Sequence, residues 1–90
     1  MVFYQTRPYA ARRDMEIAAI IEEHNRARNK FPAQDVWKTL AALTEEVGEL
    51  NQAVLQYYDE PQKNIELDDI HKEARQVAVM ALRILLDVDV

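Results

Sequence analysis

The chain has 90 residues, no cysteine and a formal net charge of −5. That length makes one small domain, short of the size at which a monomer buries a comfortable core, and it has no disulfide to staple it. The acidic balance argues against a general nucleic-acid ligand, and no apolar run approaches the ~20 residues of a membrane span.

The hydrophobic fraction is 49%, much of it Ala, Leu, Ile and Val at helical spacing. A chain this small is not expected to bury all of it, so self-association is anticipated. Charge is uneven. Residues 1–38 carry seven Lys/Arg against five Asp/Glu, and residues 39–90 carry four against eleven. The N-terminus has early aromatics and arginines but no apolar h-region, so it reads as no secretion signal. The expectation is a soluble, cytoplasmic protein.

Residues 1–13 (MVFYQTRPYAARR) lack a clear period and read as an N-terminal arm, with 14–90 as the folded domain. The simplest role for the arm is packing on a neighbouring subunit. Asp14 can cap a first helix running to about Asn29, its apolar face formed by Met15, Ala18 and Ile21 with Ile17 and Ile20 nearby. His24 falls near its polar end as an ordinary surface histidine. Phe31-Pro32-Ala33-Gln34 breaks the pattern, and Asp35 is the natural cap of a second helix, about Val36–Tyr57. Its apolar stripe is Val36, Leu40, Leu43, Val47, Leu50 and Val54. Gly48 inside that helix costs about 1 kcal/mol relative to Ala and signals close approach of a helix or ligand.

Asp59–Asn64 forms the next connection. Asn64 or Asp68 can start the last helix, which runs to about Leu86 with Ile70, Ala74, Val77, Ala81 and Ile84 as its stripe. Residues 87–90 read as a frayed end. No strand period appears. The predicted fold is all-α, with about three antiparallel helices per chain completing a four-helix-type bundle by homo-oligomerisation.

The chemistry concentrates in Thr44-Glu45-Glu46-Val47-Gly48-Glu49. Glu46 and Glu49 stand three apart on the shoulder of the apolar stripe, with Glu45 turned more toward solvent. Carboxylates beside a buried seam resist desolvation unless a cation sits among them, and Mg²⁺ binds through carboxylates plus substrate phosphates. Alone, such a cluster more often marks a solvated acidic face. The last helix supplies a second set. Glu66, Asp69, Glu73 and Gln76 line one edge of its stripe, and antiparallel packing lets the two acidic edges meet. A di-iron carboxylate bundle would need Glu-x-x-His on two helices, and no Glu-x-x-His occurs.

The run Trp37–Leu50 (WKTLAALTEEVGEL) resembles the MazG-like, all-α nucleoside triphosphate pyrophosphatases, whose signature is EExxE on one helix and ExxD on the next. The similarity covers roughly residues 15–87 and is strongest in the first motif. It implies Mg²⁺-dependent cleavage of an NTP or dNTP to the monophosphate and pyrophosphate, with Mn²⁺ as a substitute metal, in a homodimer or homotetramer.

Under that resemblance Glu46 and Glu49 are metal ligands, and Glu45 is the residue left to orient or deprotonate water. Glu73 matches the Glu of the second motif, which leaves Gln76 where an Asp is expected. A shifted register would use Glu66 and Asp69 instead, but Ile70-His71-Lys72-Glu73 is then a poor apolar follow-on, so Glu73/Gln76 is preferred. Lys38 is a candidate for phosphate contact and Trp37 for stacking on a base, although a Trp at a helix start is more often core. Arg83 is a weaker phosphate candidate, read rather as a solubilising surface residue. Two alternatives stand: a catalytically weak or inactive helical oligomerisation or metal-binding module, which Gln76 favours, and a phosphoribosyl-ATP pyrophosphatase-like enzyme.

Overall fold

The computed structural model describes residues 8–88, and they form three α-helices: α1, Tyr9–Lys30; α2, Val36–Asp59; and α3, Leu67–Leu86. A 3₁₀ turn, Pro61–Lys63, lies between α2 and α3. The all-α expectation holds. None of the described helices is long and apolar enough to cross a membrane.

The boundaries follow from local chemistry. Asp35 caps α2 as anticipated: its Oδ1 accepts the backbone N–H groups of Trp37 at 2.9 Å and Lys38 at 3.0 Å. An Asp35→Ala variant is therefore expected to lose about 1 kcal/mol, seen as a melting temperature lower by roughly 4–8 °C. Both α1 and α2 stop two residues before a proline. Phe31 and Glu60 still donate to Ala27 and Gln56 carbonyls. Each then leaves the helical region, at φ −134 and −132, because a following proline disfavours it.

Two starts differ from the sequence reading. α1 begins at Tyr9, directly after Pro8, whose carbonyl accepts from the Arg12 N–H at 3.0 Å. Asp14 therefore lies inside the helix, paired with Arg13 at 3.1 Å, and caps nothing. The alanines and arginines of 10–13 are good helix formers, so the period begins before its apolar residues do. Residues 1–7 of the proposed arm lie outside the described residues. α3 begins after Glu66, not at Asn64 or Asp68. The Asp69 side chain reaches back to accept the Glu66 N–H at 2.8 Å, half of a capping box. Asn64 instead takes the left-handed conformation, φ 56, which Asn tolerates better than most residues.

α3 is the central element, with α2 packed on one face and α1 on the other. Glu16 pairs with Arg75 and His24 with Asp87, so positions advance together and α1 runs parallel to α3. α2 is antiparallel to both. The interior is slight: among the described residues only Ala53 and Val79 are buried hydrophobics.

The faces turned inward are also displaced from those the apolar pattern suggests. On α2 the innermost line is Thr39, Glu46 and Ala53, one heptad apart; of the expected stripe Val36, Leu43, Leu50 and Val54 are half-buried, while Leu40 and Val47 are 43% and 40% exposed. On α1 the half-buried side is Glu16, Ile20, Glu23 and Ala27, and Met15, Ala18 and Ile21 face outward. Polar ties set that rotation.

Those ties form a network at the far end of the molecule. His24 is buried and its Nε2 lies 3.0 Å from Asp87 Oδ2. Arg83, also buried, donates from Nη1 to the same oxygen at 2.9 Å and from Nη2 to the Phe31 carbonyl. Val88 bridges to Gln34. His24 is thus not a surface residue, Arg83 is not a solubilising one, and residues 87–88 are not frayed. Charged groups this deep are retained only when paired and hydrogen-bonded.

Candidate metal centre

Antiparallel packing of α2 on α3 brings Glu46, Glu49 and Glu73 together, each offering a carboxylate oxygen within 4.8 Å of the others. Glu46 reaches the cluster from the buried line of α2, and Glu73 faces it from α3. Glu49, one turn beyond Glu46, is exposed and closes the group from the solvent side. The Oε2 atoms of Glu46 and Glu73 are sealed from solvent and have no hydrogen-bond partner. A buried acceptor left unpaired is destabilising, and two of them lie in one cluster of negative charge.

The electrostatics follow. Burial first, then the charges of Glu49 and Glu73, the hydrogen-bonding proximity of the Glu49 side chain and the charge of Glu45 push the Glu46 carboxyl above its ordinary value. Glu73 is raised chiefly by burial and then by Glu49, with Asp69 adding and Lys72 opposing. Raised carboxyl values mean that the folded chain holds protons which the unfolded chain releases. These two groups therefore stabilise the fold below the ordinary value of 4.5, and that contribution is lost as pH rises through their raised values. A metal-free sample should lose melting temperature across that window, and Glu46→Gln should flatten the loss. Differential scanning fluorimetry from pH 4 to 8 would check it. An unchanged slope in the variant would mean that Glu46 is not desolvated.

Three oxygens converging from two helices are a donor set for a hard divalent cation, which takes oxygen ligands and tolerates water or phosphate in the remaining positions. The cation would supply the charge that the two sealed oxygens lack.

The other candidate residues are distributed around this centre. Glu45 is exposed beside Glu46. Gln76 is half-buried one turn along α3 from Glu73. Asp69 lies on the other side of Glu73, and its carboxylate is engaged with the Glu66 N–H. Glu66 is exposed at the helix start. Lys38 is exposed on the stripe of α2 that carries Glu45 and Glu49, roughly 12 Å along the axis from Glu46. Trp37 is 75% exposed, so it is not core within this chain. Arg83, ten positions from Glu73, is about 15 Å along α3 and committed to Asp87.

The sequence reading overlooked Lys72, whose charge acts directly on Glu73. Its place beside the second motif was the available signal. A small cavity of about 240 Å³, lined by Glu16, Ile20, His71, Ala74 and Arg75, lies between α1 and α3. It sits on the opposite side of α3 from Glu73.

No family model matches the chain, and no curated protein or solved structure is significantly similar to it.

Proposed function

We propose that the chain is a Mg²⁺-dependent nucleotide pyrophosphohydrolase of the MazG-like type, cleaving an NTP or dNTP to the monophosphate and pyrophosphate. The observation that carries this reading is the convergence of Glu46, Glu49 and Glu73 with two sealed, unpartnered carboxylate oxygens. Bound there, Mg²⁺ or Mn²⁺ would neutralise charge on phosphate oxygens and on the departing pyrophosphate. Glu46, Glu49 and Glu73 would hold the cation, with the Gln76 amide as a neutral fourth contributor. Glu45, exposed next to them, orients or deprotonates the attacking water. Lys38 and Lys72 draw the triphosphate toward the acidic centre; Trp37, nine positions before Glu46 and so on the opposite side of α2, is not brought to it. The working form is a homodimer or homotetramer.

The direct test is purified protein with Mg²⁺ against a panel of NTPs and dNTPs, read as pyrophosphate release. Metal-dependent release from at least one is expected, and none from any would refute the reading. A catalytically weak metal-binding module is the second reading. Gln76 favours it, because a neutral amide gives up the attraction of a carboxylate. A phosphoribosyl-ATP pyrophosphatase-like activity is the third, and the same assay with that substrate separates it.

The two registers of the second motif make opposite forecasts. With Glu73 as ligand, Glu73→Gln weakens Mg²⁺ binding at least tenfold, and Asp69→Asn costs mainly the helix cap, about 1 kcal/mol. Gln76→Asp should tighten the metal. If Asp69→Asn abolishes binding and Glu73→Gln does not, the site lies a turn nearer the loop.

A further inference from the structure

We infer that the cavity between α1 and α3 is a second ligand site, for a small organic anion: a carboxylate head on an apolar body about the size of one aromatic ring. The inference does not depend on the metal reading. His71 and Arg75, which line the cavity, each stand two positions from Glu73, about 200° around α3 at 100° per residue. The two sites therefore lie on different sides of that helix.

Size sets the body of the ligand. The cavity holds about 240 Å³. An apolar cavity of about 150 Å³ accepts benzene, and a drug-sized ligand takes roughly 300–1,000 Å³. One ring and a head group fit this space, and a nucleotide does not. Ile20 of α1 and Ala74 of α3 give it aliphatic walls, with Glu16, His71 and Arg75 as the polar groups. That is the usual make-up of a small-molecule site, apolar walls with a few polar groups to fix orientation.

Charge sets the head. Glu16 accepts from Arg75 at 2.9 and 3.1 Å, and both bonds come from Nη1. The Glu16 charge is thus answered, and a guanidinium has five N–H donors in all. Arg12 stands one turn before Glu16 on the same side of α1. Its Nε is sealed from solvent and has no acceptor. The Tyr9 ring lies 6.0 Å from the Arg12 guanidinium carbon, at the limit of a cation–π contact, and it is no substitute for that acceptor. A buried donor left unpaired is destabilising. Two guanidiniums and one carboxylate share this seam. The exposed charges beside them come in opposite signs, Arg13 with Asp14 on α1 and Asp68 with Lys72 on α3. In a chain of net charge −5, the seam keeps a positive surplus. A ligand carboxylate supplies both the countercharge and the missing acceptor.

The test is an NMR titration of the isotope-labelled, metal-free chain with benzoate as the probe. Benzoate should give saturable amide shifts centred on residues 12–20 and 71–75. Benzyl alcohol keeps the ring without the charge, and inorganic phosphate keeps the charge without the ring. Each should bind roughly fivefold or more weakly, the worth of about one hydrogen bond. Arg12→Gln should weaken benzoate to a similar degree. Ala74→Leu fills the cavity from an exposed position with every charge kept, and it should abolish binding. No saturable shift at tens of millimolar benzoate would overturn the inference. So would an equal response to phosphate, which is surface screening, or unchanged binding in Ala74→Leu, which puts the probe elsewhere. Tighter binding of benzamidine than of benzoate would also overturn it, by making Glu16 the anchor.

Discussion

Replacing Glu46 or Glu49 by Gln is expected to lower Mg²⁺-dependent pyrophosphate release by roughly two orders of magnitude or more, since even residues that only support metal ligands typically cost 10–100-fold. The substitution keeps the shape of the side chain and removes its charge. Circular dichroism should therefore show the helices intact. For Glu46 the metal-free variant should also melt a few degrees higher at neutral pH, because a desolvated carboxylate beside Glu49 and Glu73 has been replaced by a neutral group. Lower turnover with higher apo stability is the signature of a site whose strain is functional. Full activity in both variants would mean that the first motif is not the site.

The largest effect on stability is expected from Arg83→Ala. Arg83 neutralises Asp87 and donates to the Phe31 carbonyl from a fully enclosed position. Its removal leaves a buried carboxylate beside the His24 ring, with Arg28 at 3.8 Å. Breaking a buried pair in this way costs about 3–5 kcal/mol, a large share of the ~5–15 kcal/mol that holds a small domain together. Urea unfolding followed by circular dichroism should give a much lower midpoint, or no folded baseline. Asp87→Asn should be milder, because the amide oxygen still accepts a hydrogen bond. A loss below about 1 kcal/mol for Arg83→Ala would show that the network is slack.

What the sequence makes legible is local. Asp35 announces its helix because an aspartate before an apolar period has few other uses, and Pro32 and Pro61 mark the breaks. Three-residue spacing alone puts Glu46 with Glu49 and Glu73 with Gln76. The apolar pattern misleads where tertiary polar contacts outweigh it. Leu40 and Val47 belong to the predicted stripe of α2, yet the buried residues are Thr39 and Ala53, with half-buried Glu46 on the line between them. Thr39 can be buried because its hydroxyl donates to the Asp35 carbonyl at 2.7 Å. The same holds for α1, whose rotation is set by Glu16–Arg75 and His24–Asp87. These partners lie 59 and 63 positions apart, beyond the reach of any spacing rule. Arg83 and Asp87 look like surface charge until the loop carbonyl of Phe31 is brought over them.

The central claim is that three carboxylates from two helices hold one divalent cation, and direct metal binding tests it most simply. Titration of the metal-free chain with Mn²⁺, followed by loss of the free-ion paramagnetic signal, should reveal one site per chain. That site should be competed by Mg²⁺ and weakened at least tenfold in Glu46→Gln, Glu49→Gln and Glu73→Gln alike. Equal Mn²⁺ binding by the wild type and all three variants, or none by the wild type, would contradict it.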